Sequence, residues 1–228
     1  MTKSSAKIKK MVSVALICAL GYMCVFIFHF KVGFLTFDAK DAVITLASFI
    51  YGPMTGVIAS LLVSFIEFFT ISDTGVYGFI MNFASSAMFA GTAGLIYKYR
   101  HTMLGAVAGL TAAVFTMTAL MLVMNLAITP YYMNCTMGEV MALIPTLLFP
   151  FNLVKAIMNA GLSYVLYRPL RSALQAAGLL PRSSKAEGEG KVSALASVAA
   201  IVIALLVVAA AALCFVFVLG GKFTWIES

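Results

Sequence analysis

"FLTFDAKDAVITLASFIYGPMTGV", residues 34–57, holds an apolar run from Lys40 to Tyr51 that stops at Gly52-Pro53. At ~1.5 Å rise per residue such a helix falls well short of the ~30 Å hydrocarbon core of a bilayer. Proline then ends it. A segment this apolar and this short reads as a partial or tilted span, which a membrane tolerates only where protein packs around its ends.

The rest of the chain supports that solvent. Of its 228 residues, 63% are hydrophobic and 10% charged, and the mean hydropathy is +1.06. A soluble domain of this length could not hide so much apolar surface. Apolar runs of roughly 20 residues fit spanning helices, whereas a transmembrane barrel shows shorter segments of strict alternation. The expected architecture is all-α, with helices near 11–30, 40–51, 53–70, 76–97, 103–127, 138–167 and 194–219. Basic residues precede the first run, but that run is longer than a signal-peptide core and no clear cleavage site follows, so it reads as a retained helix.

Charge gives orientation. Lys3, Lys7, Lys9, Lys10, Lys98, Arg100, Arg168, Arg171, Arg182, Lys185 and Lys191 fall on one side if six helices cross alternately, and that side is expected to be cytoplasmic, with the N-terminus. Topology thus explains the net charge of +7, and no basic soluble domain remains to bind nucleic acid. The expected organisation is a membrane domain over 1–175, a cytoplasmic linker over 176–193 and an additional transmembrane helix with a short outer tail over 194–228. The linker's "GEGK" lacks the spacing and terminal hydroxyl of a phosphate-binding loop, so no ATPase is encoded there.

Nothing advertises an enzyme. His29 and His101 are expected at opposite membrane faces and cannot share a metal or a triad, and Cys18, Cys24, Cys135 and Cys214 show no paired spacing. Polar residues inside apolar helices stand out instead. A charged side chain in hydrocarbon costs roughly 2.5–3.5 kcal/mol even on the lenient insertion scale, so it persists where it faces a cavity or a partner. Lys155 is the clearest case, with Asn152 three residues earlier on the same face; snorkelling to the inner surface is the competing reading. Asn125 and Asn82 either face a ligand or join helices, and Glu67 is either a ligand contact or a solvated carboxylate near a helix end. Three loops, 31–39, 70–77 and 128–138, face outward and carry Asp38, Asp73, Thr74, Tyr131, Tyr132 and Asn134 as the mouth of a site. Ala15 and Ala19, Gly52 and Gly56, and Gly105 and Gly109 have the four-residue spacing that lets helix backbones approach closely.

Taken in order, "FLTFDAKDAVITLASFIYGPMTGV" (34–57), "NLAITP" (125–130) and "PFNLVKA" (150–156) resemble the S components, the substrate-binding membrane subunits of energy-coupling factor (ECF) vitamin transporters, and most closely their riboflavin-specific RibU group. The resemblance covers roughly residues 8–175. It implies a six-helix bundle in which Asn152, Lys155 and Asn125 contact a flavin and the first loop, Leu35, Thr36, Phe37 and Asp38, closes over it. Leu35, Phe37 and Tyr131 would cover the ring, and Ala15 and Ala19 would dock against the coupling subunit. It further implies high-affinity binding from outside and energy from one coupling membrane protein and two ATPases, with riboflavin as transported ligand and no cofactor. The chain departs from the usual pattern at Lys40-Asp41, where relatives show Ser-Asp followed soon by Pro, at Glu67, where many have Lys, and in its seventh helix. An S component for another vitamin such as pantothenate, a self-sufficient secondary transporter and a membrane-embedded enzyme are the alternatives.

Overall fold

The short helix sits at the centre of the bundle. In the computed structural model, which describes residues 3–27, 30–32, 34–72 and 74–180 and isolated helical positions at 202, 206, 209, 210 and 213, α2 spans Lys40–Tyr51. Every residue from Lys40 to Phe49 is buried. Around it stand α1 (Lys3–Ile27), α3 (Pro53–Thr70), α4 (Gly75–Tyr99) and α5 (Met103–Met133); α6 (Met137–Leu143) runs through a π-helical turn at Ile144–Leu148 into α7 (Phe149–Ala176). α2 packs against α1, α3, α4 and α7, so protein replaces lipid around both its ends.

Among the described residues, five helical stretches are long and apolar enough to cross a bilayer: Ser4–Ile27, Pro53–Thr70, Gly75–Tyr99, Leu104–Met133 and Met137–Ala176. Their outward faces are apolar, with Met11, Leu16, Phe65, Phe115 and Val123 all exposed, while serines, asparagines and ionisable groups fill the interior. That inversion suits a lipid solvent. Gly52, at φ 98°, forms the elbow between α2 and α3 in a conformation that favours glycine. A Cβ on Gly109 would lie 2.7 Å from the carbonyl oxygen of Ala93, so this glycine lets α5 rest on the backbone of α4.

The structure corrects several boundaries. α1 begins at Lys3 rather than near residue 11, because Ala6 and Lys7, Lys9 and Lys10 favour helix and continue it beyond the apolar run. α5 runs to Met133, past the expected end at 127: Pro130 is carried inside the helix, which stops only where Asn134 turns left-handed at φ 51°. Thr136 and Glu139 then form a capping box that opens α6. The expected sixth helix is a longer element, interrupted near Pro145 and Pro150, whose missing N–H groups break the regular ladder. The expected loop at 31–39, with Phe30 before it, forms an antiparallel hairpin of β1 (Phe30–Val32) and β2 (Leu35–Phe37), closing with Val32 opposite Leu35. The expected linker beyond residue 180 and helix at 194–219, like His29, Asp73 and Cys214, lie outside the described residues apart from the isolated positions given above.

Candidate functional site

A buried chain of charges begins where the hairpin meets α2. Asp38 follows β2 and accepts the backbone N–H of Lys40 at 3.2 Å, which fixes its carboxylate at the start of the helix. Lys155 reaches it from α7: its Nζ donates to Asp38 Oδ2 at 2.8 Å and to the carbonyl oxygen of Thr36 at 3.3 Å. Lys40 Nζ turns toward α3 and pairs with Glu67 Oε2 at 2.5 Å, remaining 3.9 Å from Asp38 Oδ2. Asn82 on α4 donates its Nδ2 to the same Glu67 oxygen at 3.4 Å. Asp41 accepts from the Ser86 hydroxyl. Asp38, Lys40, Asp41, Glu67 and Lys155 are all buried. Removing so many charges from water is costly, and opposed pairs with additional hydrogen bonds offset that cost.

α7 carries the supporting polar face. Asn152, Lys155, Asn159 and Ser163 follow each other at helical spacing and are all buried. Asn159 Oδ1 accepts the N–H of Ala42 at 2.9 Å, while its Nδ2 donates to the carbonyl of Asp38 at 3.2 Å. The Ser163 hydroxyl donates to the carbonyl of Ala42 at 3.3 Å. These bonds lock the start of α2 to α7 and hold Asp38 facing Lys155. The sequence reading missed Asn159 and Ser163, although their successive four-residue steps from Lys155 were the signal that places them on its face.

A cavity of about 70 Å³ opens beside this network. Its polar wall is made by Thr36, Asn82, Ser85, Asn152 and Lys155, and its apolar wall by Phe34, Leu35, Met81, Met121, Tyr132 and Phe151. Asn152 donates its Nδ2 to the carbonyl of Leu148 at 2.8 Å, leaving its side-chain oxygen to the cavity. Leu35, Thr36, Asn82, Asn152 and Lys155 thus meet at one place, and Lys155 is turned into the interior instead of snorkelling.

Other candidates are placed differently. Asp38 and Glu67 stand one layer behind the wall, and Glu67 is a buried, paired carboxylate, not a solvated one. Phe37 is buried in the core with Val140, Leu148 and Phe151, so it braces the hairpin and does not line the cavity. Asn125 is buried between Met121 and Thr129 but occupied within α5, donating to the carbonyl of Met121 at 2.7 Å and accepting from Thr129 at 3.0 Å. Tyr131 is 72% exposed, and Tyr132 takes the lining position because successive residues on the extended α5 point about 100° apart. Ala15 and Ala19 lie on an exposed face of α1, opposite buried Ile17 and Cys18.

Two of the departures noted in the sequence are in contact: Lys40 and Glu67 form one ion pair between α2 and α3. An ammonium at position 40 answers a carboxylate at position 67.

Comparisons with known proteins place the chain in a family. Residues 9–167 match the family described as "ECF transporter, substrate-specific component". The riboflavin transporter RibU of Staphylococcus aureus (strain TCH60) is 28% identical over 177 residues, spanning 73% of this chain and 93% of that protein. A solved structure of the S component of a bacterial ECF transporter superposes with a TM-score of 0.63 at 26% identity, covering 74% of this chain and 99% of that one. With its apolar spans and buried polar centre, this chain is a multi-pass membrane protein belonging to the substrate-specific components of ECF transporters.

Proposed function

We propose that this chain captures riboflavin and delivers it across the cell membrane with energy from partner ATPases. The observation that carries the reading is the meeting of Lys155 and Asn152 with an apolar wall in one cavity. An isoalloxazine ring is flat and largely apolar, with two carbonyls and an N–H along one edge. Lys155 supplies donors for the carbonyls, and Asn152, whose oxygen is left to the cavity, accepts from the N–H. Phe34, Leu35, Tyr132 and Phe151 cover the ring faces.

A flavin needs several times the present 70 Å³, within the ~300–1,000 Å³ range of ligand pockets, so entry requires the hairpin to move. Lys155 is the latch. It holds the Thr36 carbonyl at 3.3 Å, and a ligand carbonyl offers the same ammonium an equivalent acceptor, so exchanging one for the other frees the hairpin at little electrostatic cost. Three buried carboxylates against two ammonium groups among Asp38, Lys40, Asp41, Glu67 and Lys155 favour a neutral ligand over an anion such as pantothenate.

The basic end of the bundle, with Lys98, Arg100 and Arg171, is assigned to the cytoplasm and the hairpin to the outside. A coupling membrane protein docks on α1, where Ala15 and Ala19 leave the backbone accessible. Replacing either alanine with tryptophan is expected to reduce riboflavin uptake in whole cells about tenfold or more, by holding the helices apart, while binding to the purified subunit stays unchanged. Uptake equal to that of the parent chain would remove α1 from the docking surface. Mass spectrometry of small molecules released from the purified protein tests the ligand: riboflavin is expected, and a different vitamin in its place would overturn the reading.

A further inference from the structure

The contacts at Lys155 and Asn152 use only part of the cavity wall. α4 contributes Gly78, Met81, Asn82 and Ser85, whose three- and four-residue steps put them on one helix face. Ser85 is 3% exposed, and its hydroxyl has no hydrogen-bond partner among the described residues although it faces the cavity. Buried hydroxyls are normally satisfied, so this one points to a missing partner. Asn82 is held from behind: its Nδ2 donates to Glu67 Oε2 at 3.4 Å, and that oxygen also receives Lys40 Nζ at 2.5 Å. With the amide nitrogen committed to Glu67, the amide oxygen is the atom left to the cavity.

Building on the flavin reading above, we infer that Asn82 and Ser85 form a second polar subsite that binds the hydroxyl groups of the ligand's flexible side chain, with the Lys40–Glu67 pair orienting Asn82. A ligand hydroxyl donates to the Asn82 oxygen, and another donates to or accepts from Ser85 Oγ. The chemistry of the ring singles out this use. Its polar atoms lie along the edge given to Asn152 and Lys155, and its opposite edge carries methyl groups. The polyol chain is therefore the part of riboflavin left to satisfy polar groups elsewhere in the cavity. Glu67 does not line the cavity, so its role is positioning.

The test compares riboflavin with lumiflavin, which has the same ring but a methyl group in place of the polyol. Both are titrated into the purified full-length chain. Ser85→Ala, a small change that leaves the fold undisturbed, is expected to weaken riboflavin binding about five- to tenfold while lumiflavin stays within about twofold. Lys40→Met combined with Glu67→Leu, which removes the acceptor of Asn82 Nδ2 without leaving a charge unpaired, is expected to lower the ratio of riboflavin to lumiflavin affinity by releasing Asn82. The ratio is insensitive to loss of folded protein, which lowers the active fraction for both ligands alike. Equal weakening of both flavins, or unchanged riboflavin affinity in Ser85→Ala, overturns the subsite while leaving the flavin reading standing. A parent chain that binds neither flavin overturns both.

Discussion

Replacing Lys155 with methionine is expected to weaken riboflavin binding by at least about 100-fold, which corresponds to roughly 2.7 kcal/mol. The ammonium is the charged donor on the cavity wall, and no neighbouring side chain can take its place there: Lys40, the other buried cation in the cluster, is already engaged with Glu67. The same change leaves the Asp38 carboxylate with no close ion pair, only the Lys40 ammonium at 3.9 Å and the Lys40 backbone N–H at 3.2 Å, so the fold should also lose about 3–5 kcal/mol. Pairing the substitution with Asp38→Asn removes the stranded charge. This double variant should regain most of the lost thermal stability in detergent while still failing to bind, which separates the ligand contact from the structural one. Binding restored along with stability would show that Lys155 acts on the ligand only through the fold.

The second large effect concerns Lys40 and Glu67. Lys40→Met or Glu67→Leu alone leaves a buried charge without its partner and is expected to cost about 3–5 kcal/mol, seen as a marked fall in melting temperature or in yield of folded protein. Removing both together should cost far less, within about 1–2 kcal/mol of the parent, because two apolar side chains can fill the same space between α2 and α3. The coupling energy of this double-mutant cycle is the readout. Two single losses that simply add in the double variant would contradict the ion pair.

Much of the fold was legible because the solvent was legible. The run from Lys40 to Tyr51 ends where the sequence says it must, and its brevity anticipates the central position of α2. Lys155 and Asn152 were legible for the same reason: an ammonium deep in an apolar segment needs a cavity or a partner, and it has both. Its partner was not legible. Asp38 and Lys155 lie 117 residues apart, and only the packing of α2 against α7 brings them together. Glu67 was left open between a ligand contact and a solvated carboxylate because its place near a helix end was visible while Lys40, arriving from another helix, was not. The fifth helix was expected to end at 127, yet α5 keeps Pro130 within it and runs on to Met133, where Tyr132 rather than Tyr131 lines the cavity. Asn159, Ser163 and Ser85 were within reach of helical spacing alone, but small polar residues on a membrane helix join helices as readily as they bind ligands.

Titration of riboflavin into the ligand-free purified chain, followed by quenching of flavin fluorescence, reaches the centre of this reading. Saturable quenching at one flavin per chain, strongly weakened in Lys155→Met combined with Asp38→Asn, is the expected result. No saturable quenching, or binding that the double variant retains in full, would show that the cavity beside Lys155 is not where a flavin is held.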